Sequence, residues 1–189
     1  MKLKFNRDII YITIIVALVA GLAQLYFSLN FQPAWEDHRA REVKVYYSKE
    51  VAANELLIDQ ILNAKKYVHF SIYTFTMPDI KDALIAAKYR GLEVKGIIDK
   101  EQTDKIDAQK AIVKELRAAG IPIGFQDHSA IMHLKVLVTD QSYVSGSYNW
   151  TASATDKNDE VIEVSRDPEL RIQYQKLLNK MFALYPPQL

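Results

Sequence analysis

Residues 9–35 carry no charged side chain, and this stretch constrains the fold more than any other feature of the sequence. A helix over residues 9–29 would be about 31 Å long, close to the roughly 30 Å hydrocarbon core of a bilayer. The sequence therefore predicts one N-terminal transmembrane helix at residues 9–29. A basic flank at residues 1–8 precedes this anchor, and a linker at residues 30–42 follows it.

The orientation of this span follows from its flanks. Basic residues favour the cytoplasmic side of a membrane, so residues 1–8 are expected in the cytoplasm. We therefore expect a single-pass membrane protein whose remaining chain lies outside the cytoplasm. The alternative is a signal peptide cleaved at the small residues 21–23, which would release a secreted or periplasmic protein. Residues 24–31 stay apolar beyond that point, which favours the uncleaved anchor.

The rest of the chain has the composition of a folded, nearly neutral domain. Hydrophobic residues make up 49% and charged residues 25% of all 189 residues, which excludes a disordered or collagen-like chain. The absence of cysteine excludes disulfides, thiolate metal sites and cysteine nucleophiles. The whole chain has 24 basic and 23 acidic residues, and the flank holds three of the basic ones and one acidic one. The rest of the chain therefore has 21 basic and 22 acidic residues. Without a basic excess, any phosphate is expected to be bound locally.

Residues 43–189 alternate between β-branched or aromatic runs and amphipathic runs, which is typical of an α/β domain. Pro78 is placed to start a helix and Gly91 to end it. We predict a mixed β-sheet covered by helices on both faces. The predicted strands are 43–48, 67–76, 92–98, 121–125 and a strand from 132, and the predicted helices are 51–65, 78–89, 104–119 and 167–184.

The residues with the clearest chemical potential follow position 131. In a strand, His133 and Lys135 project from one face, while apolar neighbours project from the other. Asp140 begins a turn, and after the return strand Ser147 and Asn149 point the same way. An imidazole, a cation and two neutral hydrogen-bonding groups can thus meet. This combination suits a phosphate group.

The spacing of these residues resembles the HKD signature of the phospholipase D superfamily, with these matching positions: His133, Lys135, Asp140, Gly146, Ser147 and Asn149. Glu160 follows at the place where the single-motif, Nuc-type endonucleases of this superfamily have a glutamate. The mitochondrial cardiolipin hydrolase (Zucchini) type, with one motif behind an N-terminal span, is also similar. That type carries a cysteine-containing zinc finger, which this chain lacks. The resemblance predicts a phospholipase D-like catalytic domain at residues 43–189.

The resemblance implies hydrolysis of a phosphodiester in two steps, with a phosphohistidine on His133 as intermediate and with no metal and no cofactor. It implies that Lys135, Asn149 and Glu160 complete the catalytic set. Lys135 and Asn149, together with Ser147, would bind phosphate oxygens. Glu160 would accept a hydrogen bond from the imidazole and so fix its tautomer.

Two further roles follow from the same resemblance. Asp140 and Gly146 are expected to be structural members of the motif. Because one motif supplies one histidine, the second imidazole is expected from another subunit, in a homodimer with a shared active site. The preferred hypothesis for the function is a Nuc-like endonuclease. A phospholipase D or cardiolipin hydrolase acting on membrane phospholipid is the alternative, and a non-catalytic phosphate-binding membrane module is a weaker one.

Other residues have weaker claims to function. A zinc site built from His128, His133 and Asp140 is disfavoured, because strand alternation places Asp140 off the His133 face. Trp150 could stack on a base, but an aromatic residue beside a core hairpin more often packs inside. Asp99 is expected to begin a loop rather than to act as an acid. His128 is expected in a loop, where it could contact substrate. His69 is expected in the sheet, and His38 in the linker.

Overall fold

The structure, a computed structural model, describes residues 7–30 and 41–189, in two compact units. The first unit contains helix α1, which runs over Arg7–Asn30 and includes the predicted span 9–29. Among the described residues, no helix combines the length and the sustained hydropathy that crossing a bilayer requires. The predicted transmembrane anchor is therefore not confirmed. The predicted flank and linker lie mostly outside the described residues.

The second unit is built on one seven-stranded mixed sheet, as predicted. Along the sheet the strands follow the order β1-β7-β6-β5-β2-β3-β4. The pairs β2–β3 and β3–β4 are parallel, and the other neighbours are antiparallel. The strand bounds are β1 Val43–Tyr47, β2 Tyr67–Ile72, β3 Glu93–Asp99, β4 Ile123–Gln126, β5 Lys135–Thr139, β6 Tyr143–Gly146 and β7 Val161–Ser165.

Local sequence signals set several helix ends. Helix α3 has Pro78 in its first turn and is followed by Gly91, whose φ is +87°, so its predicted bounds are confirmed. The last helix begins after Asp167, whose carboxylate accepts two main-chain N–H groups of the first turn. The helix bounds are α2 Ala53–Asn63, α3 Pro78–Tyr89, α4 Lys100–Lys105, α5 Asp107–Ala118, α6 Ala152–Asp156 and α7 Pro168–Leu184.

Each face of the sheet is covered by helices, which confirms the predicted architecture. On one face, buried residues of α2, α3 and α5 form a single cluster with strand residues such as Phe70 and Leu137. On the other face, Leu178 and Phe182 of α7 pack on Val136 and Val138. Because alternate residues of β5 enter the two clusters, this strand is buried on both sides. The sheet thus holds the start of β5 rigidly.

Three predicted elements differ from the structure by more than two residues at one end. The predicted helix 104–119 is two helices, α4 and α5, separated by Ile106 in an extended conformation. The predicted strand 67–76 ends at Ile72, since Phe75 forms a separate bridge with Trp150. The strand predicted from 132 begins at Lys135. Because of this last difference, His133 lies in a loop and not in a strand.

Candidate active site

The predicted catalytic and phosphate-binding residues lie at one end of the sheet. Ile72 at the end of β2 pairs with Lys135 at the start of β5. Gly146 at the end of β6 pairs with Ile162 at the start of β7. The loops before β5, after β6 and before β7 therefore leave the sheet at the same end. These loops and the adjoining strand ends carry all the motif residues except Asp140.

His133 lies in the loop before β5 and is exposed, so its predicted place inside a strand is wrong. Its ring centroid lies 4.8 Å from that of Tyr73, with 64° between the ring planes. Partial burial lowers the pKa of His133, and the nearby charge of Lys135 lowers it further, while Glu160 acts in the opposite direction. The imidazole is thus biased towards its neutral form, which is the nucleophilic form.

Lys135 is the first residue of β5 and is only 6% exposed. Its Nζ donates a hydrogen bond to the main-chain oxygen of His133 over 2.9 Å. The side chain also borders a cavity of about 10 Å³ lined by Leu57, Leu137 and Trp150, among others. Burial lowers the pKa of Lys135 to about 8, opposed by the charge of Glu160. The ammonium is therefore fixed in place and remains largely protonated at pH 7.

Glu160 precedes β7 and is buried. One carboxylate oxygen accepts a hydrogen bond from the Ser147 hydroxyl, and the other accepts one from Asn158 Nδ2 at 3.0 Å. The Glu160 main chain exchanges two hydrogen bonds with Ser48, of 3.0 and 3.1 Å. The expected hydrogen bond from the His133 imidazole to Glu160 is absent in residues 41–189. Glu160 therefore influences the His133 imidazole through its charge.

Asn149 is half-buried in the loop after β6. Its side-chain oxygen accepts a hydrogen bond from the main-chain N–H of Thr74 over 3.2 Å. This contact fixes the orientation of the amide group. Within residues 41–189, the Asn149 Nδ2 group donates to no partner, so it can donate to a phosphate oxygen.

The end of β6 depends on Gly146. This residue has φ of +146°, and a Cβ atom here would clash with the main-chain oxygen of Val161. The next residue, Ser147, donates its N–H to that same oxygen over 3.0 Å and accepts from the Val161 N–H at its hydroxyl over 3.1 Å. The glycine therefore allows β6 to approach β7 closely and places Ser147 against Glu160.

Asp140 lies away from the phosphate-binding groups, at the far end of β5. Its Oδ1 accepts hydrogen bonds from the main-chain N–H groups of Lys65 and Lys66, at 2.9 and 3.0 Å. Partial burial raises its pKa, but hydrogen bonds from the Gln141 side chain and from these N–H groups lower the pKa overall. These contacts tie the β5–β6 turn to the segment that leads into β2.

The residues with weaker sequence evidence of a function have structural roles. Trp150 is buried against Phe70 and Phe75, which is the packing alternative. Asp99 is buried and caps α4 by accepting from the Gln102 N–H over 2.8 Å. No group of three or more acidic or histidine residues in the described part of the chain is arranged to hold a metal ion.

The remaining histidines contribute no group to this arrangement. His69 is buried in β2, where its Nδ1 is 2.9 Å from Gln175 Nε2, and burial lowers its pKa. His128 is exposed in the loop before His133, and its Nδ1 accepts from the Ala130 N–H over 3.1 Å. His38 lies outside the described residues.

The sequence reasoning missed three residues that support the site. Tyr73 contacts His133, and Thr74 holds the side chain of Asn149. Gln109 is fully buried, and its Oε1 accepts from the Phe75 N–H over 2.8 Å. One signal was available for Gln109, because it lies on the same helical stripe as the apolar residues 112, 113 and 116. A polar residue on a buried stripe indicates a buried hydrogen bond.

The arrangement provides several of the groups that cleavage of a phosphodiester needs. The imidazole of His133 is exposed to solvent, and a buried ammonium donates a hydrogen bond to the main-chain oxygen of the same residue. Asn149 offers an amide donor whose orientation is fixed. A phosphate would thus meet a nucleophile, a cation and a neutral donor without displacing any packed residue.

Comparison with known proteins gives consistent matches. A family model described as cardiolipin synthase, PLD-like domain, matches residues 57–182. The crystal structure of Nuc, a phospholipase D family member from Salmonella typhimurium, is 32% identical with a TM-score of 0.72. The alignment covers 77% of this chain and 97% of Nuc.

Two curated relatives have similar identity. A mitochondrial cardiolipin hydrolase from Xenopus laevis is 31% identical over 132 residues, which are 69% of this chain and 61% of the relative. A phospholipase D from Rickettsia bellii is 30% identical over 134 residues, which are 70% of this chain and 65% of the relative. The chain therefore spans less than two thirds of the length of these curated relatives.

Proposed function

Since this chain belongs to the phospholipase D superfamily, we propose that it hydrolyses phosphodiester bonds without a metal ion, through a phosphohistidine formed on His133. Membership confirms the resemblance drawn from the motif. The observation that carries the proposal is the pairing of an exposed His133 imidazole with the buried Lys135 ammonium, joined through the His133 main-chain oxygen.

The reaction has two balanced steps. In the first, a neutral His133 nitrogen attacks phosphorus, the bond to the leaving oxygen breaks, and a protonated imidazole donates a proton to that oxygen. In the second, the now neutral imidazole takes a proton from water, and the resulting oxygen nucleophile breaks the phosphorus–nitrogen bond. Lys135 and Asn149 bind the phosphate oxygens whose charge increases in each transition state, together with Ser147 once its hydroxyl reorients from Glu160.

We infer that the second imidazole belongs to another copy of the chain. One histidine cannot be neutral nucleophile and protonated donor in the same step. A homodimer whose twofold axis passes beside His133 supplies both groups in a single shared site. Sedimentation should therefore show a dimer, and a fully active monomer would refute the shared site.

For the substrate, we propose nucleic acid first, as in a Nuc-like endonuclease. The alignment that covers nearly all of Nuc supports this choice. The phospholipid alternative is supported by the curated relatives, which are named mitochondrial cardiolipin hydrolase and phospholipase D. A non-catalytic phosphate-binding module is less well supported, because mere binding does not require a nucleophile.

Attachment to a membrane stays a prediction from the sequence. It rests on the uncharged residues 9–35. If residues 9–29 anchor the chain, it fractionates with membranes, and protease added outside the cytoplasm degrades residues 43–189. A chain cleaved near residue 23 and recovered in the soluble periplasmic or secreted fraction would instead support a signal peptide.

The full chain should be assayed in EDTA with bis(p-nitrophenyl) phosphate, single- and double-stranded DNA, RNA and cardiolipin vesicles. We expect hydrolysis of the chromogenic diester and of nucleic acid, and loss of both in His133→Asn. His38→Asn is the matched control, since it removes a histidine that precedes the catalytic domain. Acid quenching with a ³²P-labelled substrate should trap phosphate on His133. Label on another residue, or unchanged turnover in His133→Asn, would refute the proposal.

A further inference from the structure

The side chain of Tyr73 contacts both reactive groups of the site. Its ring lies 4.8 Å from the His133 ring, measured between centroids, and the rings are inclined by 64°. The same Tyr73 ring lies 5.1 Å from the Nζ atom of Lys135. Both distances are within the usual range for aromatic pairs and for a cation near an aromatic face. One half-buried ring therefore lies against both the imidazole and the ammonium.

Hydrogen bonds hold the main chain of Tyr73 at both its N–H and its carbonyl oxygen. Its N–H donates a 3.0 Å hydrogen bond to the oxygen of Leu134, the residue between His133 and Lys135. Its carbonyl oxygen accepts a hydrogen bond from Gln109 Nε2 at 3.4 Å. Gln109 is fully buried and also donates to Thr103 Oγ1 over 3.0 Å. The position of Tyr73 is thus set by the protein before any substrate binds.

The Lys135 ammonium has an unusual environment for a buried charge. No carboxylate within residues 41–189 lies within ion-pair distance of its Nζ, although Glu160 influences it from farther away. A directly paired carboxylate would compete with phosphate for the cation. An aromatic face stabilises the cation without neutralising it. The Tyr73 ring therefore leaves the charge available to a phosphate oxygen.

The His133 imidazole, in contrast to the buried ammonium, is exposed. Its ring makes no hydrogen bond within residues 41–189. An exposed side chain exchanges rotamers rapidly. Reaction with phosphorus requires a narrow range of distances and angles. Packing on the inclined Tyr73 ring restricts this rotation.

We propose that Tyr73 is a positioning residue, whose ring holds the His133 imidazole and the Lys135 ammonium in their reactive arrangement. The Tyr73 hydroxyl makes no hydrogen bond to any residue from 41 to 189, so the ring and not the hydroxyl carries this role. The proposal deepens the proposed function and rests on it.

The test compares Tyr73→Phe, which keeps the ring, with Tyr73→Leu, which removes it. We expect Tyr73→Phe to retain kcat within about twofold. Tyr73→Leu should lower kcat by about 10- to 100-fold, the effect of misplacing a reacting group, with a smaller change in KM. Thermal unfolding of both variants controls for loss of fold.

A second readout does not depend on turnover. NMR titration of His133, assigned by comparison with His133→Asn, reports its pKa directly. Because partial burial lowers this pKa in the wild type, removing the ring in Tyr73→Leu should raise it towards 6.5. The acid limb of the kcat/KM profile should move to higher pH by the same amount, while Tyr73→Phe should leave both unchanged.

The outcomes separate the two proposals. Unchanged kcat and unchanged His133 titration in folded Tyr73→Leu would overturn the positioning role, and so would a shifted titration with unchanged kcat. Equal losses in Tyr73→Phe and Tyr73→Leu would assign the effect to the hydroxyl and overturn it as well. If the wild type hydrolyses no substrate, the proposed function fails, and the reactive role of Tyr73 fails with it. The titration would then still show whether the ring shields His133.

Discussion

Replacing Lys135 by methionine should make the protein more stable while it removes activity. Lys135 is only 6% exposed and borders a small cavity whose other lining residues include Leu57, Leu137 and Trp150. Methionine has a similar length and no charge, so it can occupy the same space. The exchange therefore isolates the energetic effect of a buried ammonium.

The magnitude follows from the pKa of Lys135, which burial lowers from 10.5 to about 8. At 1.36 kcal/mol per pKa unit, burying the charged form destabilises the folded protein by about 3 kcal/mol. Methionine cannot donate the hydrogen bond that Nζ gives to the His133 oxygen, and this loss costs the variant about 1 to 2 kcal/mol. We therefore expect Lys135→Met to raise the free energy of unfolding by about 1 to 2 kcal/mol at pH 7.

The effect should depend on pH in a defined direction. Below pH 8 the lysine is protonated in both folded and unfolded chains, so the full destabilisation is present. Between about 8 and 10.5 the folded protein loses this proton first, and the destabilisation declines as pH rises. The stability difference between Lys135→Met and the wild type should thus shrink over this range.

Urea unfolding at several pH values between 7 and 10 measures this difference. Lys180→Met is the matched control, because Lys180 is exposed on α7 and the same exchange there should change stability little. A Lys135→Met protein less stable than the wild type at pH 7 would refute the reasoning. A stability difference that does not change between pH 7 and 10 would also refute it.

Three further predictions concern the same end of the sheet. The kcat/KM profile should be bell-shaped, since the proposed shared site needs one His133 neutral and the other protonated. KM should rise above about pH 8 as Lys135 loses its charge, and a KM constant up to pH 9 would argue against phosphate binding by Lys135. Gly146→Ala should lower the free energy of unfolding by about 2 to 4 kcal/mol in urea titrations, because the alanine methyl group would clash with the Val161 oxygen. A change below about 0.5 kcal/mol would contradict this prediction. Gln109→Leu should leave the buried Phe75 N–H unpaired, lowering stability by about 1 to 3 kcal/mol and also turnover, and wild-type behaviour in both assays would contradict the supporting role.

Features set by local sequence were predictable. Pro78 and Gly91 fixed helix α3, because each limits the backbone at its own position. The alternation of Leu134, Val136 and Val138 correctly indicated one shared face, and these residues pack together with α7. The superfamily was also predictable, because the motif depends on spacing along the chain.

Features set by distant contacts were not predictable. The strand alternation that placed Leu134 correctly also predicted a strand at His133, but the backbone leaves β5 before Lys135. The environment of His133 depends on Tyr73, which is far away in sequence. Likewise, within residues 41–189 the Glu160 carboxylate accepts hydrogen bonds from Ser147 and Asn158 rather than from the imidazole. Such competition among polar partners is decided only in the folded chain.

The pairing of β1 with β7 has a consequence for the order in which the protein folds during synthesis. Glu160 is anchored to Ser48 at the end of β1, and the two residues are 112 positions apart. A growing polypeptide exposes the β1 segment early and must wait for the segment 161–165 before the two can join. The ribosome-bound chain therefore holds the β1 segment long before Glu160 can be anchored to it, and this end of the sheet is completed only after residues 161–165 have been made.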